Sequence, residues 1–220
     1  MFKAALILLL FIAVLPGVTT VWAANPAPPP AIAKQKVIMF FGDSLVEGYG
    51  LPKDDALPAQ LEAKLKEHGL PVRVVNAGNS GETSAGGLRR LDWQLKNVKP
   101  DYVIICLGGN DMLRNIQPGI TRENLRQMME KLKAAKLPVL MAGMRHARDK
   151  AADGAYIKMY ADLSQAYGAV LYPFILDGVA LNPALNQRDG VHPNKEGVAI
   201  IVDRILPSVA DLLVKKSPVE

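Results

Sequence analysis

The sequence of 220 residues contains one cysteine and three histidines. A single cysteine excludes an intramolecular disulfide framework and any zinc or iron–sulfur site built from several cysteines, and three histidines argue against a histidine-rich metal cluster. Lysine and arginine outnumber aspartate and glutamate by 26 to 21, without a basic tract. Because nucleic-acid binding usually needs a concentrated basic surface, we expect no nucleic-acid partner. Half the residues are hydrophobic and 21% are charged, which is typical of a globular domain.

The N-terminal segment has the pattern of an export signal. Residues 4–24 carry no charge, and their most apolar part, 4–15, has the length of a signal-peptide hydrophobic region before a Pro-Gly pair interrupts it. The small residues that follow predict cleavage after Ala23, with Ala24 as the other choice. An uncleaved anchor is the alternative, because about 20 apolar residues can span a bilayer. We therefore expect a periplasmic or secreted protein with no membrane span after processing.

The predicted organisation has three parts. A signal peptide covers residues 1–23, a proline-rich linker covers 24–35, and one folded domain covers 36–216. The prolines of the linker disfavour helix and sheet and favour an extended spacer. The domain is long enough to bury a sizeable single core.

Within that domain, short apolar runs alternate with amphipathic helical patterns. Runs that are apolar on both faces are typical of strands in a parallel sheet covered by helices on both sides. The predicted strands are 37–41, 72–75, 102–107, 138–142 and 169–172. The predicted helices are 56–68, 84–98, 121–136 with Thr121 as its cap, 153–167 and 194–215. This order predicts one three-layer α/β domain, whose ligands bind at the carboxyl ends of the strands.

Polar motifs follow the first three predicted strands and precede the last predicted helix. Because the carboxyl ends of parallel strands lie along one edge of the sheet, we expect all four motifs to gather at that rim. They read Gly-Asp-Ser-Leu at 42–45, Asn-Ala-Gly-Asn-Ser-Gly-Glu-Thr at 76–83, Gly-Gly-Asn-Asp at 108–111 and Asp-Gly-Val-His at 189–192.

The residue types in these motifs suit acyl transfer. A serine hydroxyl such as that of Ser44 is a weak nucleophile and needs a base, which a histidine such as His192 can supply near neutral pH. Asp189 precedes His192 by three residues and can orient its ring within one turn. Attack on a carbonyl creates an oxyanion that needs aimed donors, for which the backbone N–H groups of Ser44 and Gly81 and the side-chain amide of Asn110 are candidates.

Together the four motifs resemble the SGNH (GDSL) hydrolase family, in that family's order. The resemblance extends to its bacterial subgroup of arylesterases and multifunctional periplasmic thioesterase/lysophospholipases, and it rests on the stretches GDSLVEGYGL, NAGNSGETSAGGLRRL, LGGNDMLR and DGVHPN. It implies a flavodoxin-like sheet of five parallel strands in an α/β/α arrangement. It further implies that Ser44 is the nucleophile, that Asp189 and His192 complete a triad, and that Gly81 and Asn110 are oxyanion donors. No metal or cofactor is implied.

Several of these residues have structural alternatives. Ser44 could be an ordinary helix N-cap, and Asn110 could be a turn residue. Gly78 could make a tight loop together with Gly81, and only the resemblance, through the Ser-Gly-Glu-Thr stretch, favours Gly81 over Gly78 as the donor.

Two further residues with reactive side chains, His146 and Cys106, lie outside the four motifs. His146 follows the fourth predicted strand, so it also faces the rim and could line the substrate cleft or act as the base. It has no neighbouring acid comparable to Asp189, which favours His192. Cys106 lies inside the third predicted strand and is most simply a small core residue.

The sequence therefore predicts an exported serine esterase. We expect its substrates to be small-molecule aryl or short- to medium-chain acyl esters, with thioesters and lysophospholipids next. The alternatives are an O-acetyl carbohydrate or peptidoglycan esterase and a non-catalytic lipid- or glycan-binding module. The loops at 112–119 and 144–156 are expected to set specificity, and the sequence indicates no oligomeric state.

Overall fold

The computed structural model describes residues 35–146 and 150–215, with the side chains of 150–152 left out. The predicted signal peptide, nearly all of the predicted linker and the predicted domain end at residue 216 lie outside the described residues, so these boundaries stay predictions. No helix in the described ranges is both long and apolar enough to cross a membrane.

Five parallel strands form the sheet, in the order β2-β1-β3-β4-β5. Every predicted strand is present, and the flavodoxin-like sheet is confirmed. The second strand continues past the apolar run that predicted it, because the backbone of Asn76–Gly78 stays paired with that of Phe40–Gly42 although its side chains are polar or small. The strands are β1 Val37–Gly42, β2 Arg73–Gly78, β3 Tyr102–Cys106, β4 Val139–Ala142 and β5 Val170–Tyr172.

Helices cover the sheet in two groups. The helices of the described residues are α1 Ser44–Glu47, α2 Leu57–Glu67, α3 Ser84–Val98, α4 Gly109–Leu113, α5 Pro118–Ala134, α6 Lys150–Tyr167 and α7 Lys195–Val214, with a 3₁₀ turn at Lys53–Asp55. Helix α2 packs against α7, and α5 packs against both α3 and α6. The short helices α1 and α4 were not predicted, because a single turn leaves no periodic pattern in the sequence.

The prediction that Thr121 caps a helix is wrong. Helix α5 begins three residues earlier, at Pro118, which is a favourable first residue because its missing N–H would have no partner there. Thr121 lies inside the helix and is fully buried, and its hydroxyl donates a hydrogen bond to Oδ1 of Asp111 at 3.0 Å.

The core lies on both sides of the central strands. Residues Ile38–Phe41 of β1 are completely buried, as is Cys106 at the end of β3, which confirms the prediction that this cysteine is a core residue. In α2 the leucines at helical spacing, Leu57, Leu61 and Leu65, are buried. Among the leucines of α3 only Leu91 is buried, and Leu88 and Leu95 are partly exposed. Each large side chain buried in this way stabilises the fold by about 1.5–3 kcal/mol.

Candidate active site

The polar motifs meet where the strand order reverses. Strand β1 lies between β2 and β3. The connection from β1 leads through α2 to β2, whereas the connection from β3 leads through α5 to β4, so the connections from these two adjacent strands run in opposite directions along the sheet. Such a reversal opens a crevice beyond the carboxyl ends of the strands. Ser44 follows β1, Gly81 follows β2 and Asn110 follows β3, so the chain places all three at this crevice.

Ser44 is the first residue of helix α1, and the preceding Asp43 is the cap. The carboxylate of Asp43 accepts a hydrogen bond from the backbone N–H of Leu45 at 3.1 Å. The turn is tight, because a Cβ added to Gly42 would lie 2.4 Å from Cγ2 of Val46 and 2.6 Å from the carbonyl oxygen of Cys106. The alternative interpretation of Ser44 as an N-cap is therefore wrong, and its hydroxyl is available for another role.

Ser44, His192 and Asp189 form a chain of hydrogen bonds. Oγ of Ser44 lies 2.8 Å from Nε2 of His192, and Nδ1 of His192 lies 2.7 Å from Oδ2 of Asp189. The other carboxylate oxygen of Asp189 accepts the backbone N–H groups of Val191 at 2.9 Å and of His192 at 3.0 Å. The aspartate thus fixes the turn that presents the histidine as well as the ring itself.

This environment keeps Asp189 ionised. Burial alone would raise the pKa of the carboxyl, but the hydrogen bonds from the backbone and ring of His192 and from Val191 lower that pKa to about 2. An ionised carboxylate on Nδ1 favours the tautomer whose Nε2 is free to accept a proton from a serine hydroxyl.

The backbone N–H groups of Ser44, after β1, and of Gly81, after β2, are the two backbone candidates for oxyanion donors. Within the described residues, neither the N–H of Ser44 nor that of Gly81 makes a hydrogen bond. Gly81 has a φ of +74°, a conformation that side chains rarely adopt, and it turns the loop at this point. By contrast, the N–H of Gly78 donates to Oδ1 of Asn76 at 3.0 Å, and a Cβ on Gly78 would lie 2.1 Å from the backbone nitrogen of Glu47. Gly78 is therefore a packing residue, and the geometry favours Gly81 as the donor.

The side chain of Asn110 is hydrogen-bonded to Asp43, the residue before the proposed nucleophile. Its Nδ2 donates to Oδ2 of Asp43 at 3.3 Å. Asp43 is 2% exposed, and this burial raises the pKa of its carboxyl to about 6, while the N–H of Leu45, the charge of His192 and the amide of Asn110 act in the opposite direction. The sequence reasoning did not identify this role of Asp43, although its place next to Ser44 in the motif was the signal.

A buried ion pair supports the loop that carries Gly81. The guanidinium of Arg90 pairs with the carboxylate of Glu82, and its Nη2 donates to the carbonyl oxygens of Gly42 and Ala77, each at 2.9 Å. Its carbon also lies 4.0 Å from the ring centroid of Phe41. The guanidinium therefore connects the ends of β1 and β2 to the loop after β2. Sequence reasoning missed this contact, because nothing in an amphipathic helix distinguishes Arg90 from the exposed Arg89 beside it.

A second buried carboxylate holds the helix that carries Asn110. Asp111 is completely buried and accepts hydrogen bonds from the backbone N–H of Ser84 at 2.8 Å, from the hydroxyl of Ser84, and from the hydroxyl of Thr121. Since Ser84 begins α3 and Thr121 lies in α5, Asp111 anchors α4 to both helices.

His146 lies elsewhere on the rim. The structure pairs Ser44 with His192, while the backbone N–H of His146 donates to Oδ1 of Asp153 at 2.9 Å. Arg145 also binds this carboxylate at 2.7 Å and lowers its pKa. Asp153 is a neighbouring acid that the sequence analysis did not identify, because it is seven residues away.

The predicted specificity loops are shorter than expected. In the first, 112–119, only residues 114–117 connect α4 to α5. In the second, 144–156, helix α6 begins at residue 150 rather than 153, and residues 147–149 lie outside the described residues. Across the described ranges, no three or more His, Cys, Asp or Glu side chains are grouped as a metal site.

The family model described as GDSL-like Lipase/Acylhydrolase matches residues 40–200. The chain belongs to this family. The match to this family of GDSL hydrolases begins within β1 and ends in α7, so it covers the second half of β1, the other four strands and all four motifs.

Individual GDSL hydrolases agree with this assignment. The chain is 36% identical over 173 residues to the thioesterase 1/protease 1/lysophospholipase L1 of Escherichia coli K12, covering 78% of this chain and 82% of that protein. It is 35% identical over 166 residues to the arylesterase of Vibrio mimicus, covering 74% and 82%. The crystal structure of AlinE4, an SGNH-hydrolase family esterase, superposes with a TM-score of 0.70 at 40% identity, covering 84% of this chain and all of that one.

The comparisons confirm the resemblance, the α/β fold and the enzyme class that the sequence predicted. The protein is a hydrolase of ester bonds built on the SGNH fold. The roles assigned to the individual site residues stay predictions.

Proposed function

We propose that this protein is an exported serine esterase that works through a Ser44–His192–Asp189 triad and an acyl-enzyme. The observation that carries the proposal is the unbroken chain of hydrogen bonds from Oγ of Ser44 to Nε2 of His192 and from Nδ1 of His192 to Asp189, at 2.8 and 2.7 Å. A nucleophile, a base and a group that orients the base are the parts that acyl transfer from a hydroxyl requires.

In the first half-reaction, Oγ of Ser44 attacks the acyl carbonyl while Nε2 of His192 takes the hydroxyl proton. The carbonyl oxygen becomes an oxyanion, to which the N–H groups of Ser44 and Gly81 and the amide of Asn110 donate. The tetrahedral intermediate then expels the alcohol, phenol or thiol, which receives the proton from His192. The ionised Asp189 stabilises the imidazolium throughout.

In the second half-reaction, water takes the place of the leaving group. His192 removes a proton from the water, whose oxygen attacks the acyl carbon of the Ser44 ester. Collapse of this second intermediate returns the proton to Oγ of Ser44 and releases the carboxylic acid. The free enzyme is restored without a cofactor.

We infer that aryl esters and short- to medium-chain acyl esters are the preferred substrates, with thioesters and lysophospholipids as further ones. Support comes from relatives whose names include arylesterase, thioesterase and lysophospholipase. An apolar side chain lies close in sequence to the oxyanion motif, since Leu113, two residues after Asp111, is 68% exposed. A panel of nitrophenyl esters of increasing chain length, run beside an acyl thioester and a lysophospholipid, ranks these classes.

The substitution Ser44→Ala tests the catalytic assignment. We expect loss of esterase activity with an unchanged circular dichroism spectrum and unfolding temperature, because the hydroxyl contributes to the reaction and only one hydrogen bond is removed. Ser208→Ala in helix α7 is the matched control, since it removes the same group at a position outside the four motifs. Near wild-type activity in the Ser44 variant would refute the proposal.

Export is proposed from the N-terminal sequence. Expression of the full chain in a bacterium, followed by fractionation and N-terminal sequencing, should give a periplasmic or secreted product that begins at Ala24 or Asn25. A membrane-bound product that keeps its first residue would instead identify an uncleaved anchor.

A further inference from the structure

An exposed tyrosine lies against the ring of the histidine in the proposed triad. The centroids of Tyr49 and His192 are 4.8 Å apart, and the two planes are inclined by 40°. Tyr49 is nevertheless 53% exposed, so burial in the core is not what keeps it there. It lies five residues after Ser44, just beyond the end of the one-turn helix α1 that begins at the nucleophile.

The backbone of Tyr49 is held from two sides. Its N–H donates to the carbonyl oxygen of Ser44 at 3.1 Å. Its own carbonyl oxygen accepts a hydrogen bond from Nε2 of Gln187 at 2.7 Å, a contact between residues 138 positions apart. The tyrosine backbone is therefore tied both to the nucleophile and to the segment that carries His192.

Gln187 binds that second segment on both sides of the histidine. Its backbone N–H donates to the carbonyl oxygen of His192 at 2.7 Å, and its side-chain amide donates to the carbonyl oxygen of Pro193 at 3.0 Å. The close approach depends on Gly50, which has a φ of +75° and leaves the space that Oε1 of Gln187 fills, 2.2 Å from where a Cβ would be. One glutamine thus joins the tyrosine and histidine segments.

We propose that Tyr49 is a positioning residue for His192 that also stabilises its imidazolium. This inference rests on the proposed function, since in the reaction His192 becomes positively charged when it takes the proton of Ser44. The face of an aromatic ring attracts an imidazolium cation more strongly than it attracts a neutral imidazole. An interaction that strengthens as the charge develops accelerates the reaction instead of merely tightening binding.

The other groups that face His192 act together with this ring. Asp189 contacts Nδ1, Ser44 contacts Nε2, and the buried carboxyl of Asp43 reaches the histidine through its charge. None of them is an aromatic ring, whereas the ring centroid of Tyr49 lies 4.8 Å from that of the imidazole. Replacing Tyr49 therefore changes one contact of His192 and leaves its hydrogen bonds intact.

The test compares Tyr49→Leu and Tyr49→Phe with Trp93→Leu, which removes an aromatic ring that is 63% exposed on α3. We expect Tyr49→Leu to lower kcat about two- to fivefold, the size of a cation–π contact at an exposed site, with little change in KM. The acid limb of kcat/KM should move to lower pH, because the imidazolium is less favoured. Tyr49→Phe keeps the ring and should stay within twofold of the wild type, as should the tryptophan control.

A titration of the imidazoles by NMR separates this inference from the proposed function. The three histidines, at 68, 146 and 192, can be assigned by substitution. His192 should bind its proton two- to fivefold more weakly in Tyr49→Leu than in the wild type, whether or not an ester is turned over. An unchanged titration of His192, or an equal change in Tyr49→Phe, overturns the role of the ring. Esterase activity that survives Ser44→Ala overturns the proposed function instead.

Discussion

Asp43 is the residue at which stability and activity should conflict. Its carboxyl is 2% exposed and has no cationic side chain within salt-bridge distance among the described residues. Burial raises its pKa from 3.8 to about 6. Replacing it by asparagine keeps the shape of the side chain and removes the charge. We predict that Asp43→Asn is more stable than the wild type at pH 8 and much less active.

The magnitude follows from the pKa. Well below pH 3.8, the ordinary pKa of the group, the carboxyl is protonated in both the folded and the unfolded chain, so its ionisation has no effect on stability there. Above about pH 6 it is ionised in both, and the folded state is destabilised by roughly 3 kcal/mol relative to low pH. The free energy of unfolding therefore falls as the pH rises through this window, because the carboxyl ionises less readily in the folded than in the unfolded chain.

An asparagine at position 43 has no charge at any pH, so the variant avoids this destabilisation at pH 8. Its oxygen can still accept the N–H of Leu45, but its NH₂ group would face the NH₂ group of Asn110, and this lost hydrogen bond offsets about 1 kcal/mol. We expect a net gain of about 2 kcal/mol at pH 8 and a loss of about 0.5 kcal/mol at pH 4, where the unfolded carboxyl is already partly ionised. Activity should fall 10- to 10²-fold, because Asn110 loses the acceptor that aims its amide.

Urea unfolding of both proteins at pH 4, 6 and 8, combined with ester hydrolysis at pH 8, measures these quantities. The control is Asp54→Asn, an exposed carboxylate without a hydrogen bond in the described structure, which changes the net charge equally. A stability difference between Asp43→Asn and the wild type that does not vary with pH would refute the reasoning, as would unchanged activity.

Two further substitutions test one proposed oxyanion donor, Asn110, and the arginine that holds the loop of another, Arg90. Asn110→Ala should reduce kcat about 10²–10³-fold in steady-state assays, as expected for one lost donor, and an unchanged kcat would contradict its role. Arg90→Lys should lower kcat at least tenfold with little change in KM, since a lysine cannot replace a guanidinium that binds Glu82 and the carbonyl oxygens of Gly42 and Ala77 together. The adjacent, exposed Arg89→Lys should match the wild type in both parameters, and equal losses in the two variants would exclude this positioning role.

The strands could be predicted because local patterns specify them, whereas the flavodoxin-like sheet was implied by the family resemblance. Apolar runs on both faces predicted every strand, and the chemistry of Ser44, Asp189 and His192 is concentrated in short motifs. The helix starts were less accurate where another signal competed, since Thr121 resembles a cap although Pro118 begins the helix. One-turn helices such as α1 are too short for any periodicity.

The supporting contacts could not be predicted, because they join residues that are distant in the sequence. Gln187 binds a carbonyl oxygen 138 residues away, and Arg90 reaches the end of β1 from α3. Their side chains look like ordinary surface residues until the sheet brings their partners together. Asp43 differs, since it adjoins Ser44, but its carboxylate is buried beside Gly109 and Asn110, which follow β3 and are distant in the sequence.

The central claim is that Ser44 is the nucleophile, and an active-site label tests it most directly. A fluorophosphonate should react once per molecule of the intact protein, and peptide mass spectrometry should locate the adduct on Ser44, because only a serine activated by a base attacks phosphorus rapidly. Ser44→Ala should remain unlabelled. Labelling of another serine, or no labelling of a folded wild-type protein, would contradict the account.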